Sequence, residues 1–239
     1  MSECANVVRV QSHVLRVVDE PWLFAIEASG QIAAYWHKRL EQNPSFFNGR
    51  IHLLRRWDLS DGRFTGELLK TDFASFLYWR EHDHPDRSVR DCFGSALLRS
   101  SDGSIILGRQ SPGHINSGLT YLPGGFIDHR DVAADGTVDV AASVAREIAE
   151  ELGYPDGTFA AEPGAYLTFD GQLLSIAIEH TSTQSAAALL ESATRFIASE
   201  TDPELEAVIA VAARSDYAHF AMPGFAKALL DTVLARRQA

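Results

Sequence analysis

Three glutamates recur at helical spacing within residues 146–154, which read REIAEELGY. An α-helix turns by about 100° per residue, so Glu150 lies roughly 60° to one side of Glu147 and Glu151 roughly 40° to the other. The three carboxylates can therefore converge on one point, where their repulsion raises their pKa values until a divalent cation relieves it. Oxygen ligands without His or Cys favour magnesium, with manganese as the alternative.

The same spacing is also typical of a solvated acidic helix face, which is the commoner meaning of acidic residues three and four positions apart. The neighbouring residues favour a site instead. Residues 122–128, LPGGFID, contain Gly124 and Gly125, and glycines let a backbone approach a site closely. Arg146 adjoins the glutamates and carries a cation that can orient one carboxylate.

Together these residues resemble the Nudix box, in which a glycine, five residues, a glutamate and seven residues precede REUxEExGU, with U apolar. Residues 146–154 match the whole second half, and Tyr154 takes the last apolar position. The first half departs from the pattern: the stretch between Gly125 and Arg146 is several residues longer, and Val138 stands where the box has glutamate. We expect the insertion, residues 129–136, to form a loop ahead of the helix.

The resemblance implies a magnesium-dependent hydrolase that cleaves a diphosphate linkage in a nucleoside diphosphate joined to a second group. Asp128 or Asp139 would replace the missing glutamate, and Gly124 and Gly125 would shape the turn below the metal and substrate. The implied ligands and the arginine that holds a box carboxylate are Glu147, Glu150, Glu151 and Arg146. The interrupted first half leaves open a second hypothesis, a Nudix-like sensor or regulator that binds a nucleotide metabolite without turnover.

Two further roles are expected outside the box. The family often recruits a general base from elsewhere, and Glu204, then Glu206, then Glu200 are the candidates, because a loop enters a strand there. The alternative for each is an exposed loop acid. Arg109 ends a predicted strand where similar proteins place a phosphate-contacting arginine, although it could equally be a surface residue.

The elements that must position these residues follow from periodicity and turn signals. Asp139 is a good N-cap for the glutamate helix and Gly153 stands at its C-terminal cap. Asp-Gly pairs at 61–62, 102–103 and 170–171 predict hairpins. Strands are predicted at 13–18, 50–59, 64–79, 92–100, 104–110, 119–126, 165–169, 172–182 and 206–213, and helices at 22–44, 139–152, 186–199 and 223–237.

A polar, turn-prone segment at 81–91 predicts a domain boundary. We expect residues 1–90 to form a small α+β domain and residues 91–239 to form an α/β/α sandwich with a mixed sheet. In the first part, NPSFFNGRIHLLRR at 43–56 resembles the N-terminal region of Nudix enzymes that hydrolyse UDP-sugars, which favours a nucleotide sugar as substrate. This part is expected to close the substrate pocket, or else to contribute to a homodimer contact.

Bulk composition excludes several classes of protein. The chain has 239 residues, 46% of them apolar, which is ample for a packed core. A formal charge of -11 argues against nucleic acid as a partner. The sequence has neither an apolar run of about 20 residues nor a secretory signal, so we expect no membrane span and a cytoplasmic location. Cys4 and Cys92 are expected to be passive thiols.

Overall fold

The computed structural model describes residues 5–235, so Cys4 and the predicted helical residues 236–237 lie outside the described chain. The described helices are α1 (Leu23–Glu27), α2 (Ser29–Gln42), α3 (Phe73–Glu81), α4 (Val140–Leu152), α5 (Ala186–Ser199), α6 (Arg214–Tyr217) and α7 (Gly224–Ala235). The described strands are β1 (Asn6–Val10), β2 (Ser12–Val18), β3 (Arg50–Ser60), β4 (Arg63–Asp72), β5 (Arg90–Arg99), β6 (Ile105–Gln110), β7 (Thr120–Tyr121), β8 (Gly124–Phe126), β9 (Thr137–Val138), β10 (Ala160–Ala161), β11 (Ala165–Asp170), β12 (Leu173–Thr181) and β13 (Leu205–Val211).

The strands form one mixed sheet in the order β1-β11-β12-β5-β3-β4-β2-β9, and β6 and β8 also pair with β5. The β12/β5 and β2/β4 pairs are parallel, and the remaining pairs are antiparallel. No helix in the described part of the chain is long and apolar enough to cross a membrane.

Helices cover both faces of the sheet, and β5 shows why. Its side chains alternate between faces, as strand geometry requires. Ala96 and Leu98 pack into a cluster with Val144 of α4 and Leu189 of α5. Leu97 packs into a second cluster with residues of α7. The predicted α/β/α sandwich with a mixed sheet is therefore confirmed.

The segments before and after residue 90 share this sheet and its core. Strand β1 pairs with β11, β2 with β9, and β3 with β5. Leu15 and Leu54 from the first part belong to the same buried cluster as Val144. A separate cluster around Trp79 packs against the other face of β3 and β4. The division into residues 1–90 and 91–239 stays a prediction about folding units.

One predicted element is wrong in part. The predicted strand 64–79 ends with β4, and Phe73–Glu81 forms helix α3. The Asp72 carboxylate accepts a hydrogen bond of 2.8 Å from Ser75 N and so caps the helix. Aromatic residues favour strands by propensity, but Phe76 and Trp79 here bury their rings in tertiary contacts that override it.

The predicted hairpins are confirmed. Asp61 and Gly62 both have positive φ angles, 49° and 72°, as the tight turn between β3 and β4 requires. The turns at 102–103 and 170–171 join β5 to β6 and β11 to β12. The helical pattern expected over 22–44 is divided into α1 and α2 at Ala28, and α2 ends before Pro44 as predicted.

Candidate active site

Helix α4 forms as its sequence predicts and presents its glutamates on one side. The Asp139 carboxylate accepts from Ala142 N at 2.9 Å, and Gly153 adopts a left-handed conformation with its N–H bonded to Ala149 O. The apolar stripe is buried and comprises Val140, Val144, Ile148 and Leu152. Packing of that stripe fixes the rotation of the helix, and with it the direction of the acidic side chains.

Two of the three glutamates are buried. Glu147 is 9% exposed and Glu151 only 4%, whereas about half of the Glu150 side chain is exposed. Burial raises the pKa of Glu147 to about 7, against a smaller opposing effect of Arg146. Burial, reinforced by the charges of Glu204 and Glu147, raises the pKa of Glu151 well above its usual range. The acidic cluster is therefore not a solvated helix face.

The glycine pair lies directly against these carboxylates. A side chain at Gly124 would collide with the backbone of Gly94, so β8 can pair with β5 only with glycine here. A Cβ on Gly125 would lie 2.6 Å from the carboxylate carbon of Glu147. The backbone N–H of Gly124 also lies near enough to Glu151 to lower the pKa of that carboxyl. The turn thus brings a backbone against two of the three glutamates.

The insertion supplies the carboxylate that pairs with Arg146. Residues His129–Asp131 form a 3₁₀ turn capped by Asp128, and the loop continues into β9. Arg146 Nη1 lies 2.7 Å from Asp131 Oδ1, and the Asp131 side chain is only 1% exposed.

Of the two candidates named for the missing glutamate, only Asp128 reaches Arg146, at a longer distance than Asp131 does. Asp139 caps α4, and Asp128 lies 3.8 Å from Arg146 while bonding mainly to Arg130. Sequence reasoning missed Asp131 because it lies inside the insertion, where box spacing no longer applies. The remaining signal was the presence of an acid in the inserted segment.

A cavity of about 1020 Å³ opens beside the glutamates. Both predicted domains line it, including residues 45–51 of the first part. Acidic and aromatic side chains both line it. The acidic residues are Asp91, Asp128, Glu147, Glu150, Glu151, Asp202 and Glu204. The aromatic residues include Phe73, Phe93, Tyr121, Phe126 and Phe225.

The three candidates for the general base are placed differently. Glu204 lines the cavity, and its charge acts on both buried glutamates of α4. Glu206 forms an ion pair with Arg109 across β13 and β6. Glu200 lines a smaller neighbouring cavity of about 400 Å³. Only Glu204 combines exposure to the main cavity with proximity to the glutamates.

Arg109 is not among the described residues that line the main cavity, since Glu206 holds its guanidinium on β6. Arg80 lies there instead, at the end of α3, with Nη2 2.7 Å from the side-chain oxygen of Asn116. Sequence reasoning missed Arg80 because the α3 segment was predicted as a strand. No other feature of the local sequence around Arg80 indicated a ligand-binding role.

The donor set fits a hard divalent cation. Glu151 Oε2 is buried and has no hydrogen-bond partner among the described residues, and a cation would satisfy it. Two arginines hold the other carboxylates: Arg146 lies 3.3 Å from Glu147, and Arg130 lies 3.5 Å from Glu150. Across residues 5–235, no three acidic, His or Cys side chains already enclose an ion position. Binding would require these carboxylates to turn from arginine towards the ion.

No family model matches the chain, and no curated protein matches it. Similar solved structures include the Nudix hydrolase RenU from M. smegmatis, at 17% identity over 62% of this chain and 87% of that one, with a TM-score of 0.40. The MutT protein from Methanosarcina mazei Go1 is 20% identical over 62% of this chain and 95% of that one, with a TM-score of 0.41.

A bifunctional NMN adenylyltransferase/ADP ribose pyrophosphatase from Francisella tularensis, in complex with AMP and a manganese ion, is 16% identical. The match covers 67% of this chain and 46% of that one, with a TM-score of 0.43. Likeness at these identities and scores carries no argument about substrate or reaction. The chain resembles Nudix hydrolases in residues 146–154, and Nudix hydrolases are among the solved structures similar to it.

Proposed function

We propose that the protein is a magnesium-dependent hydrolase that cleaves the diphosphate linkage of a nucleoside diphosphate joined to a second group, with a nucleotide sugar as the favoured class. The observation that carries the proposal is the position of the three α4 glutamates. They line a cavity of about 1020 Å³ that aromatic side chains also line. Such a cavity suits a ligand with a charged phosphate end and a flat apolar end.

The proposed metal ligands are Glu147, Glu150 and Glu151. Magnesium held by these residues, or manganese as the alternative, would supply Lewis-acid stabilisation of developing phosphate charge and lower the pKa of an attacking water. The unpartnered oxygen of Glu151 supports this assignment, because a buried carboxylate without a donor costs free energy.

The remaining roles belong to the chain itself. Glu204 is the proposed general base, since it faces the cavity beside the glutamates and would accept a proton from the attacking water. Arg146 is a positioning residue: Asp131 holds its guanidinium, which contacts the Glu147 carboxylate. Gly124 and Gly125 leave space for the buried carboxylates beside the substrate.

The first part of the chain supports a role in substrate binding. Its residues 45–51, together with Phe73 and Arg80, line the cavity. Phe47 is 82% exposed at this cavity, so its ring is free to cover a ligand. These positions favour the pocket-closing hypothesis for residues 1–90. The alternative, a homodimer contact, stays a prediction that sedimentation equilibrium tests.

The decisive experiment incubates the protein with magnesium and a panel of UDP-, ADP- and GDP-sugars, dinucleotides, coenzyme A and nucleoside triphosphates. Products are followed by phosphorus NMR and chromatography. We expect diphosphate cleavage that is lost in Glu150→Gln and Glu151→Gln. Glu191→Gln is the matched control, because Glu191 is an exposed residue of α5.

The second hypothesis, a nucleotide-metabolite sensor without turnover, rested on the interrupted first half of the box. The Asp131–Arg146 ion pair supplies an acid partner despite that interruption, which favours the enzyme. Tight binding of a panel member by the wild type without any cleavage, in magnesium or manganese, would establish the sensor instead.

A further inference from the structure

A further acidic residue, Asp91, stands among the aromatic residues that line the cavity. Along β5, Asp91, Phe93 and Ser95 line the cavity. The alternate residue Gly94 faces the opposite side, where a Cβ would lie 2.8 Å from Val144 of α4. The alternation of the strand therefore directs the Asp91 side chain to the same face as the two cavity-lining residues that follow it.

The fold leaves one carboxyl oxygen of Asp91 without a hydrogen-bond partner among the described residues. The residue is 6% exposed, and its Oδ1 has no hydrogen-bond partner among residues 5–235. Burial raises the pKa of this carboxyl to about 7, and the charge of Arg80 opposes the shift. A buried carboxyl without a donor destabilises a protein, so its presence in a cavity wall points to a donor from a ligand.

The surroundings of Asp91 fit a flat ring. Phe93 pairs across the sheet with Phe126, which places both rings on the same face. Phe225 lies edge-on to Phe93 with ring centroids 5.1 Å apart, and Phe73 lies edge-on to Phe126 at 6.0 Å. A nucleobase stacks on aromatic rings of this kind.

Arg80 adds hydrogen-bond donors beside this acceptor. It lines the same cavity, Asn116 fixes its guanidinium, and its charge acts on Asp91. The described residues include no ion pair between Arg80 and Asp91. Both groups therefore keep hydrogen-bonding capacity for a ligand.

The distance along the strand fits a nucleotide. Ser95 pairs with Gly124, whose backbone N–H lies near the Glu151 carboxyl. Asp91 lies four residues earlier, about 13 Å along an extended strand. That span corresponds to a nucleotide with its phosphates at the glutamates and the far edge of its base at Asp91.

We propose that Asp91, assisted by Arg80, determines base specificity and selects bases that present a ring N–H beside a carbonyl, namely uracil and guanine, over adenine and cytosine. This deepens the proposed function and rests on it for the position of the phosphates. An ionised carboxylate accepts the ring N–H, and a neutral carboxyl accepts it while donating to the carbonyl. Adenine and cytosine present a ring acceptor beside an amino group, which only the neutral carboxyl matches.

The test measures binding apart from catalysis. UMP, GMP, AMP and CMP are titrated into the full-length protein in EDTA by isothermal titration calorimetry at pH 8.5, where the Asp91 carboxyl is ionised and cannot donate to a ring nitrogen. We expect UMP and GMP to bind about tenfold more tightly than AMP and CMP, the scale of one good two-point base contact. Asp91→Asn should reduce the preference to about twofold or less, because an amide can match either kind of base edge.

The controls separate specificity from folding. Asp156→Asn, in an exposed loop outside the cavity lining, should retain the wild-type preference. Circular dichroism and thermal unfolding check each variant. If Asp91→Asn does not fold, the base preference of the wild type and of Arg80→Met tests the inference. Arg80→Met should weaken the binding of UMP and GMP more than the binding of AMP and CMP.

Three results would overturn the inference: equal affinity of the wild type for all four monophosphates, binding of none of them, or an unchanged preference in folded Asp91→Asn. Hydrolysis of UDP-, GDP-, ADP- and CDP-glucose is measured in parallel. A base preference without hydrolysis would uphold the subsite and reject the proposed function. Hydrolysis without a base preference would support the proposed function and reject the base subsite at Asp91.

Discussion

Arg146 and Asp131 form an ion pair of 2.7 Å that joins the glutamate helix to the inserted segment before it. Asp131 also accepts the backbone N–H of Asp128 at 3.0 Å, so the same carboxylate closes the 3₁₀ turn and holds the arginine. The insertion is thereby part of the site. The turn also leads the chain to β9, which pairs with β2 from the first part.

We expect Asp131→Asn to destabilise the protein by about 2–4 kcal/mol, because it leaves the charge of Arg146 without its buried partner. Activity should also fall, since Arg146 would no longer be fixed beside Glu147. Urea unfolding measures the loss of stability, and kcat measures the loss of activity. Asp156→Asn is the control, and wild-type values for Asp131→Asn in both assays would contradict the role of the ion pair.

We expect Glu147 to contribute a loss of stability in the metal-free protein as pH rises from about 4.5 to about 7. The folded-state pKa of Glu147 is raised to about 7, so the folded state binds more protons than the unfolded state across this window. Magnesium should restore stability above this window, and Glu151→Gln should reduce that restoration. Thermal unfolding at pH 5 and pH 8, with magnesium or EDTA, measures both. A magnesium effect equal in Glu151→Gln and wild type would argue against this ligand.

We expect Asp91→Asn to stabilise the protein, by more at pH 8 than at pH 4. The folded pKa of Asp91, about 7 against a usual 3.8, makes the buried charge unfavourable by on the order of 4 kcal/mol once pH exceeds both values. The difference in unfolding free energy between variant and wild type isolates this group, because the other carboxylates are common to both. A difference independent of pH would show that Asp91 keeps an ordinary pKa.

We expect Glu204→Gln to lower kcat about 100-fold or more while magnesium binding persists, as loss of a general base does. Glu206→Gln is the matched control two residues away, because Glu206 pairs with Arg109 on the strand pair β13/β6. Steady-state kinetics on the best panel substrate, with magnesium affinity from calorimetry, separate the roles. A larger loss of kcat in Glu206→Gln than in Glu204→Gln would identify Glu206 as the general base instead.

We expect residues 1–90 and 91–239 to unfold together. Leu54 of β3 is 1% exposed and lies in one core cluster with Val144 of α4. Leu54→Ala should cost about 2–5 kcal/mol, and urea transitions followed by Trp fluorescence and by far-ultraviolet circular dichroism should shift together. Two separated transitions would show that the predicted domains are independent folding units.

The sequence by itself determined the local structure that carries the chemistry. Asp139, Gly153 and the apolar stripe define α4 through bonds that span three or four residues, and the Asp-Gly turns define hairpins in the same way. The spacing of Glu147, Glu150 and Glu151 is likewise a property of one helix. These features depend on residues near each other in the chain, so pattern and turn chemistry were enough to predict them.

Tertiary structure decided the rest, because the contacts join residues far apart in the sequence. Asp131 reaches Arg146 only through the folded insertion, and Arg80 faces the cavity only because α3 packs as a helix against α2 and β4. Asp91 shows the same limit: its local sequence predicts a turn-prone segment, whereas the structure places it on β5 with Oδ1 buried and without a hydrogen-bond partner among residues 5–235. Burial and pairing depend on the whole sheet, and no local pattern encodes them.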